Sequence, residues 1–126
     1  MASYQNYIYW MLGRNFPSTC LVAEKNGRIL GYIGALLSAE KQTVFVWQIA
    51  VKSDERGRQI GRRLLENVVI AAKNMGITQL EIGINDENII CRCMVEKLVQ
   101  DLESTITEKE KYKGEGFCER VYRILI

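Results

Sequence analysis

TVFVWQIAV at residues 43–51, KSDERGRQIGRR at 52–63 and LLENVVIAAKN at 64–74 decide how this chain folds. The first segment is a nearly continuous apolar run rich in β-branched and aromatic residues, as in a strand covered on both faces in the middle of a sheet. The second breaks that pattern with a polar loop containing Gly57 and Gly61. From Ile60 onward, Leu64, Leu65, Val68, Val69 and Ala72 recur at helical spacing, so a helix starts near Gln59, and Gly76 closes it as a C-cap. A buried strand leading through a glycine loop into an amphipathic helix is a βα unit, and the fold class expected is α/β (α+β), a mixed central sheet flanked by helices.

Outward from this unit the alternation continues. Upstream, residues 19–24 and 29–37 are β-rich runs joined by Lys25-Asn26-Gly27-Arg28, and Asn-Gly between such runs is the strongest short hairpin signal. Residues 4–13 read as an aromatic-rich helix closed by Gly13, which Pro17 keeps from continuing. Downstream, residues 77–84 read as a strand. Asp86 is placed as the cap of a helix with Ile90, Met94, Val95, Leu98 and Leu102 on its apolar face. Residues 103–116 are charged throughout and are expected as a fraying helix end and a surface loop, before residues 118–126 return to strand alternation. No repeat, low-complexity tract or linker divides the 126 residues, which predicts one domain over 1–126.

Composition narrows the chemistry. Hydrophobic residues make up 48% and charged residues 25%, enough for a full core and too ordered a mix for a disordered chain. There is no histidine, which removes Ser-His-Asp and Cys-His catalysis and imidazole general bases together. Four irregularly spaced cysteines lack a histidine to complete a zinc set, so no metal site is expected and the thiols read as reduced. A net charge of +2 is too small for nucleic-acid binding through the whole surface, and no apolar stretch approaches the roughly 20 residues of a membrane span. A cytoplasmic protein with neither nucleic acid nor membrane as partner is the expectation.

Charge is concentrated instead in the glycine loop. Lys52, Arg56, Arg58, Arg62 and Arg63 place five positive charges within twelve residues, against Asp54 and Glu55. Gly57 and Gly61 let backbone approach a ligand, and a helix start turns unpaired N–H groups toward the same point. These are three requirements of a pyrophosphate cradle. Neither a Gly-Lys-Ser/Thr end nor a G-x-G-x-x-G fingerprint is present.

The run from Arg56 to Leu65, after a strand ending Ile49-Ala50-Val51, resembles the acetyl-CoA-binding motif of the GNAT N-acetyltransferases, Gln/Arg-x-x-Gly-x-Gly/Ala. Arg56 and Gly61 match its ends, and Gln59 stands where the family has its central glycine. The order of hairpin, central strand, helix, strand and an Asn-containing turn at residues 85–88 agrees with that fold. More narrowly, NFPSTCLVAE at 15–24 and FVWQIAV at 45–51 are similar to the diaminobutyrate acetyltransferases of ectoine synthesis.

What the resemblance implies is direct attack of a substrate amine on the thioester of acetyl-CoA, the cosubstrate, in a ternary complex. It implies that the end of the central strand splays from its neighbour, with backbone N–H groups around Ile49, Ala50 and Val51 serving the pantetheine arm and the thioester oxygen. It places the pyrophosphate on Arg56, Gly57, Arg58, Gln59, Ile60, Gly61 and Arg62, and the coenzyme also against Asn88. Tyr7, Trp47 and Glu119 match residues near the substrate, Glu119 suiting a second cationic amine. Val95 occupies the position of a tyrosine that many members use to protonate the thiolate, and Gly116 that of a histidine in the narrower branch. An acidic residue of that branch is matched by Ala2, and the fold's first strand is expected to be absent, leaving a hairpin edge that invites a homodimer. The reading is an N-acetyltransferase for a small amino-acid-like amine or diamine such as 2,4-diaminobutyrate. A non-catalytic coenzyme-A-binding module is the alternative, motivated by Gln59, Val95 and the short N-terminus.

Overall fold

A computed structural model describes the backbone of residues 4–55, 57 and 59–126 and their side chains from Tyr7 onward. Arg56 and Arg58, two of the expected cradle residues, lie outside the described residues. In chain order the elements are α1 (Tyr4–Asn15), β1 (Cys20–Lys25), β2 (Arg28–Leu37), β3 (Thr43–Val51), a 3₁₀ turn (Ser53–Glu55), α2 (Ile60–Asn74), β4 (Gln79–Asn85), α3 (Ile89–Asp101), β5 (Ile106–Gly114) and β6 (Phe117–Leu125). The strands form one mixed six-stranded sheet in the order β1-β2-β3-β4-β6-β5, with only β3 and β4 parallel.

Local chemistry explains most of these elements. Asn26 and Gly27 both hold positive φ (52° and 76°), as the two-residue β1–β2 turn demands. Helix α2 closes where expected: Gly76 has φ 78°, its N–H donates to Lys73 O, and Ile77 N–H donates to Ala72 O, the paired bonds of a Schellman cap. The α2 face predicted from periodicity is the one that is buried, and it packs on β2, β1 and β3.

Four expectations are corrected. Residues 106–114 are not loop but the edge strand β5, paired antiparallel with β6. Their alternating Glu and Lys residues bury neither face, so no hydrophobic period marks the strand, and the ladder with β6 defines it. Helix α1 runs past Gly13 to Asn15, whose side chain donates to Met11 O at 2.8 Å. Asn88 rather than Asp86 caps α3, accepting from Cys91 N–H at 3.1 Å, while Asp86 accepts from Arg120 Nε at 2.8 Å. Strand β3 is not covered on both faces throughout: Thr43, Val44 and Val46 are buried, whereas Trp47 and Ala50 are exposed.

That last difference creates the site. β3 pairs with β4 only from Thr43↔Gln79 to Val46↔Ile82, then continues five residues to Val51 while β4 stays paired with β6 to Asn85. Below the parting lies the core, built on Ile33, Val44, Val46, Leu65, Val68, Leu80, Val95 and Ile124. Among the described residues no helix is long and apolar enough to cross a membrane.

Candidate active site

The parted strands open a cleft of about 880 Å³. One wall is β3 from Val46 to Val51; the other is formed by Ile82, Gly83 and Asn85 of β4 with Glu119 of β6. The loop at Glu55, Gly57 and Gln59 and the start of α2 close one end, and Asn88, Cys91, Met94 and Lys97 line it along α3.

Backbone direction on the β3 wall follows from the ladder. Lys52 N–H donates to Leu30 O at 2.9 Å, and Gly31↔Val51 and Ile33↔Ile49 are register partners. Antiparallel pairs alternate between bonded and non-bonded. The N–H groups of Ala50 and Gln48 therefore face β2, and those of Ile49 and Val51 face the gap left by β4. A register shift between Gly34 and Ala35 leaves Trp47 as the extra residue of a bulge, with its side chain half exposed in the cleft.

The start of α2 provides the second polar region. Gln59 holds φ 60° and makes no side-chain cap bond, so the first-turn N–H groups of Ile60, Gly61 and Arg62 have no partners within the helix. Gly57, at φ 88°, takes a conformation that favours glycine. A Cβ on Gly61 would lie 3.2 Å from Met94 Sδ and 3.5 Å from Val51 Cγ2, so glycine lets α2 seat closely on β3 without displacing Met94. The Arg62 guanidinium is occupied: it donates to Glu66 at 2.9 Å and to Gln59 at 3.2 Å, and pairs with Asp101. Arg62 thus offers the cleft its N–H rather than its charge.

The expected acceptor residues are placed differently from one another. Trp47 and Glu119 line the cleft. The Glu119 carboxylate lies over Gly83, where a Cβ would stand 3.7 Å from Glu119 Oε2 and 3.8 Å from the Phe45 ring. Tyr7 is exposed on α1, its ring 6.0 Å from that of Trp10, and is not among the residues lining the cleft. Tyr9 of α1 reaches Trp47, with ring centroids 6.4 Å apart. Tyr9 also meets Tyr32 edge-on at 5.3 Å and donates to Gln48 Oε1 at 3.0 Å. Burial, and after it the neighbouring Cys20, pushes the Tyr32 hydroxyl well above its ordinary range.

Asn88 caps α3 and lines the cleft. Val95 is fully buried in the core. Cys91, whose thiol burial pushes up, faces the cleft with Cys93, Met94 and Lys97. These α3 residues and Tyr9 were not picked out from sequence. Nothing local announces Tyr9, whose bond to Gln48 spans 39 positions.

Splayed parallel strands, strand N–H groups turned into the gap and a glycine-bearing helix start at its end define an acyl-coenzyme-binding transferase fold. Residues 1–98 match the model of the acetyltransferase (GNAT) family, and the chain belongs to that family. Its similarities are narrower still. It is 33% identical to the L-2,4-diaminobutyric acid acetyltransferase of Marinococcus halophilus over 113 residues, covering 89% of this chain and 66% of that protein. It is 42% identical to the enzyme of the same name from Nocardia farcinica over 84 residues, 66% of this chain and 44% of that one. The chain thus spans 44–66% of the length of these two curated relatives. Among solved structures it superposes on the Paenibacillus lautus diaminobutyrate acetyltransferase EctA, described in complex with its substrate L-2,4-diaminobutyric acid and coenzyme A. The TM-score is 0.86 at 27% identity, over 99% of this chain and 80% of that one.

Proposed function

We propose that the protein is an acetyl-CoA-dependent N-acetyltransferase acting on a primary amine of a small diamino acid, with 2,4-diaminobutyrate as the leading acceptor. The observation that carries the proposal is the cleft itself, which joins a helix start fit for a pyrophosphate to a strand edge fit for a thioester. The residues present suit the coenzyme: Gly57 has open space where a Cβ would stand, Gly61 lets the start of α2 seat against Val51, and the N–H groups of Ile60, Gly61 and Arg62 are available to phosphate oxygens. Arg56 and Arg58 are assigned to the same phosphates from the sequence motif. Acetyl-CoA supplies the activated acetyl group.

The chain's own groups do the rest. Val51 N–H holds the pantetheine arm and Ile49 N–H faces the thioester oxygen, where a fixed donor stabilises the charge that develops on attack. Glu119 takes the ammonium that is not acetylated, and Trp47 packs on the carbon chain between the two amines. Tyr7 is assigned to the acceptor side on the sequence resemblance alone. Asn88 positions the coenzyme from the cap of α3. The reading includes one domain over 1–126, a cytoplasmic setting that suits the free thiols of Cys20, Cys91, Cys93 and Cys118, and a homodimer through the edge of β1.

The test is release of free coenzyme A from acetyl-CoA over a panel of diamines, amino acids and diamino acids. Turnover is expected, with the highest kcat/KM on a diamino acid. Tight acetyl-CoA binding with no turnover on any amine would overturn the proposal in favour of a non-catalytic coenzyme-A-binding module.

A further inference from the structure

Resting on the acetyl-transfer reading, the acceptor has one group still without a partner, its carboxylate, and the β3 wall offers a residue for it. Gln48 is half-buried and lines the cleft next to Trp47. Its amide is held from α1, because Tyr9 Oη donates to Gln48 Oε1 at 3.0 Å. Tyr9 in turn is fixed by two rings, Tyr32 meeting it edge-on at 5.3 Å and Trp47 lying tilted at 6.4 Å. An amide with its oxygen engaged presents its nitrogen, which carries two N–H donors and no acceptor. Across the cleft stands Glu119, whose carboxylate only accepts. One wall therefore suits an ammonium and the other an oxyanion, the two charges of an amino acid.

We infer that Gln48, oriented by Tyr9, binds the carboxylate of the acceptor and so selects diamino acids over plain diamines. Tyr9 is the positioning residue in this pair. Its hydroxyl keeps the Gln48 amide from turning its oxygen toward the carboxylate.

The decisive comparison is 2,4-diaminobutyrate against 1,3-diaminopropane, which keeps the two amines and their three-carbon spacing and lacks the carboxylate. The ratio of kcat/KM for the two is measured in the unaltered protein, Gln48→Ala, Gln48→Glu and Tyr9→Phe. Calorimetric binding of both amines to the coenzyme-A-loaded protein gives the same ratio without turnover. The unaltered protein is expected to favour the diamino acid by about tenfold or more, the factor a hydrogen bond to an ion supplies. Gln48→Ala brings the ratio toward one and Gln48→Glu drives it lower by repulsion. Tyr9→Phe, which keeps the ring, falls between.

A ratio near one in the unaltered protein, or one that Gln48→Ala and Gln48→Glu leave unchanged, overturns the assignment. A general packing role for Gln48 would weaken both amines alike and leave the ratio alone. Absence of turnover on either amine, with the binding ratio as expected, removes the acetyl-transfer reading and retains Gln48 as a carboxylate site. Should Gln48→Ala fail to fold, Gln48→Glu and Tyr9→Phe decide.

Discussion

At the scale of single residues, Gly61 and Gln59 carry the most information. Gln59 holds φ 60° at the start of α2, where the family motif has glycine. The backbone explains that preference, since a non-glycine residue in the left-handed region costs on the order of 1–2 kcal/mol. Gln59 accepts this conformation while its side chain bonds Arg62. Gly61 is held by packing instead, with Met94, Val51 and Ile49 at 3.2–3.7 Å from where a Cβ would stand. The flexible Met94 side chain can yield to one methyl, so Gly61→Ala should change coenzyme affinity less than about threefold. Gly61→Val adds branches toward β3 and should lift the first turn of α2 off that strand, raising the Kd for coenzyme A by about tenfold or more. Calorimetric titration of coenzyme A into both variants checks this; an unchanged Kd for Gly61→Val would remove the start of α2 from the coenzyme site. Both glycines of the loop were legible in the sequence, because a left-handed backbone at Gly57 and close packing at Gly61 each leave a trace in residue type. Tyr9 was not, because a half-exposed tyrosine on a helix looks the same with or without a distant partner.

At the scale of elements, β3 and β5 differ from their sequence reading for opposite reasons. β3 is apolar over most of its length, yet only its first half is covered, because the parallel ladder with β4 ends at Val46↔Ile82. The apolar residues beyond that point face a ligand cleft instead of a neighbouring strand. β5 is polar on both faces and is a strand only because β6 pairs with it through the tight turn at Glu115 and Gly116, where Gly116 has φ 75°. Periodicity reports burial, so it reads β3 as more covered than it is and does not see β5. The other edge of the sheet, β1, behaves differently again. Val22 on β1 and Ile29 and Leu37 on β2 are each about half exposed. An edge strand with apolar residues and few charges invites pairing with a second copy, whereas the alternating Glu and Lys of β5 discourage it. Sedimentation at micromolar concentration should show a dimer, and Val22→Lys should shift it toward monomer. A monomer in the unaltered protein would overturn the expectation.

At the scale of the whole molecule, ion pairs fasten the β4–β6–β5 half of the sheet. Arg123 donates to the buried Glu81 at 2.8 Å and also pairs with Glu40, in the turn before β3. Arg120 joins Asp86 to Glu108 of β5. Hydrogen bonding from Arg123 holds Glu40 below its ordinary 4.5, and hydrogen bonding from Arg120 holds Asp86 below its ordinary 3.8. Groups whose folded pKa is depressed contribute stability that is fully present above the ordinary value and is lost as pH falls through the lowered one. Urea unfolding midpoints should therefore be nearly flat from pH 8 to 6 and fall below about pH 4.5, less steeply in Arg123→Gln; a flat profile down to pH 3 would show these pairs contribute little. The sequence by itself determined the mixed fold, the β1–β2 hairpin, the buried face of α2, the glycine loop and the family, because each is written in local residue type or period. Only the tertiary structure decided where β3 leaves β4, that β5 is a strand, that Arg120 engages Asp86, and that Tyr9 reaches Gln48 beside Trp47. Those features depend on which distant segments meet, and a contact across 39 positions has no local period to betray it.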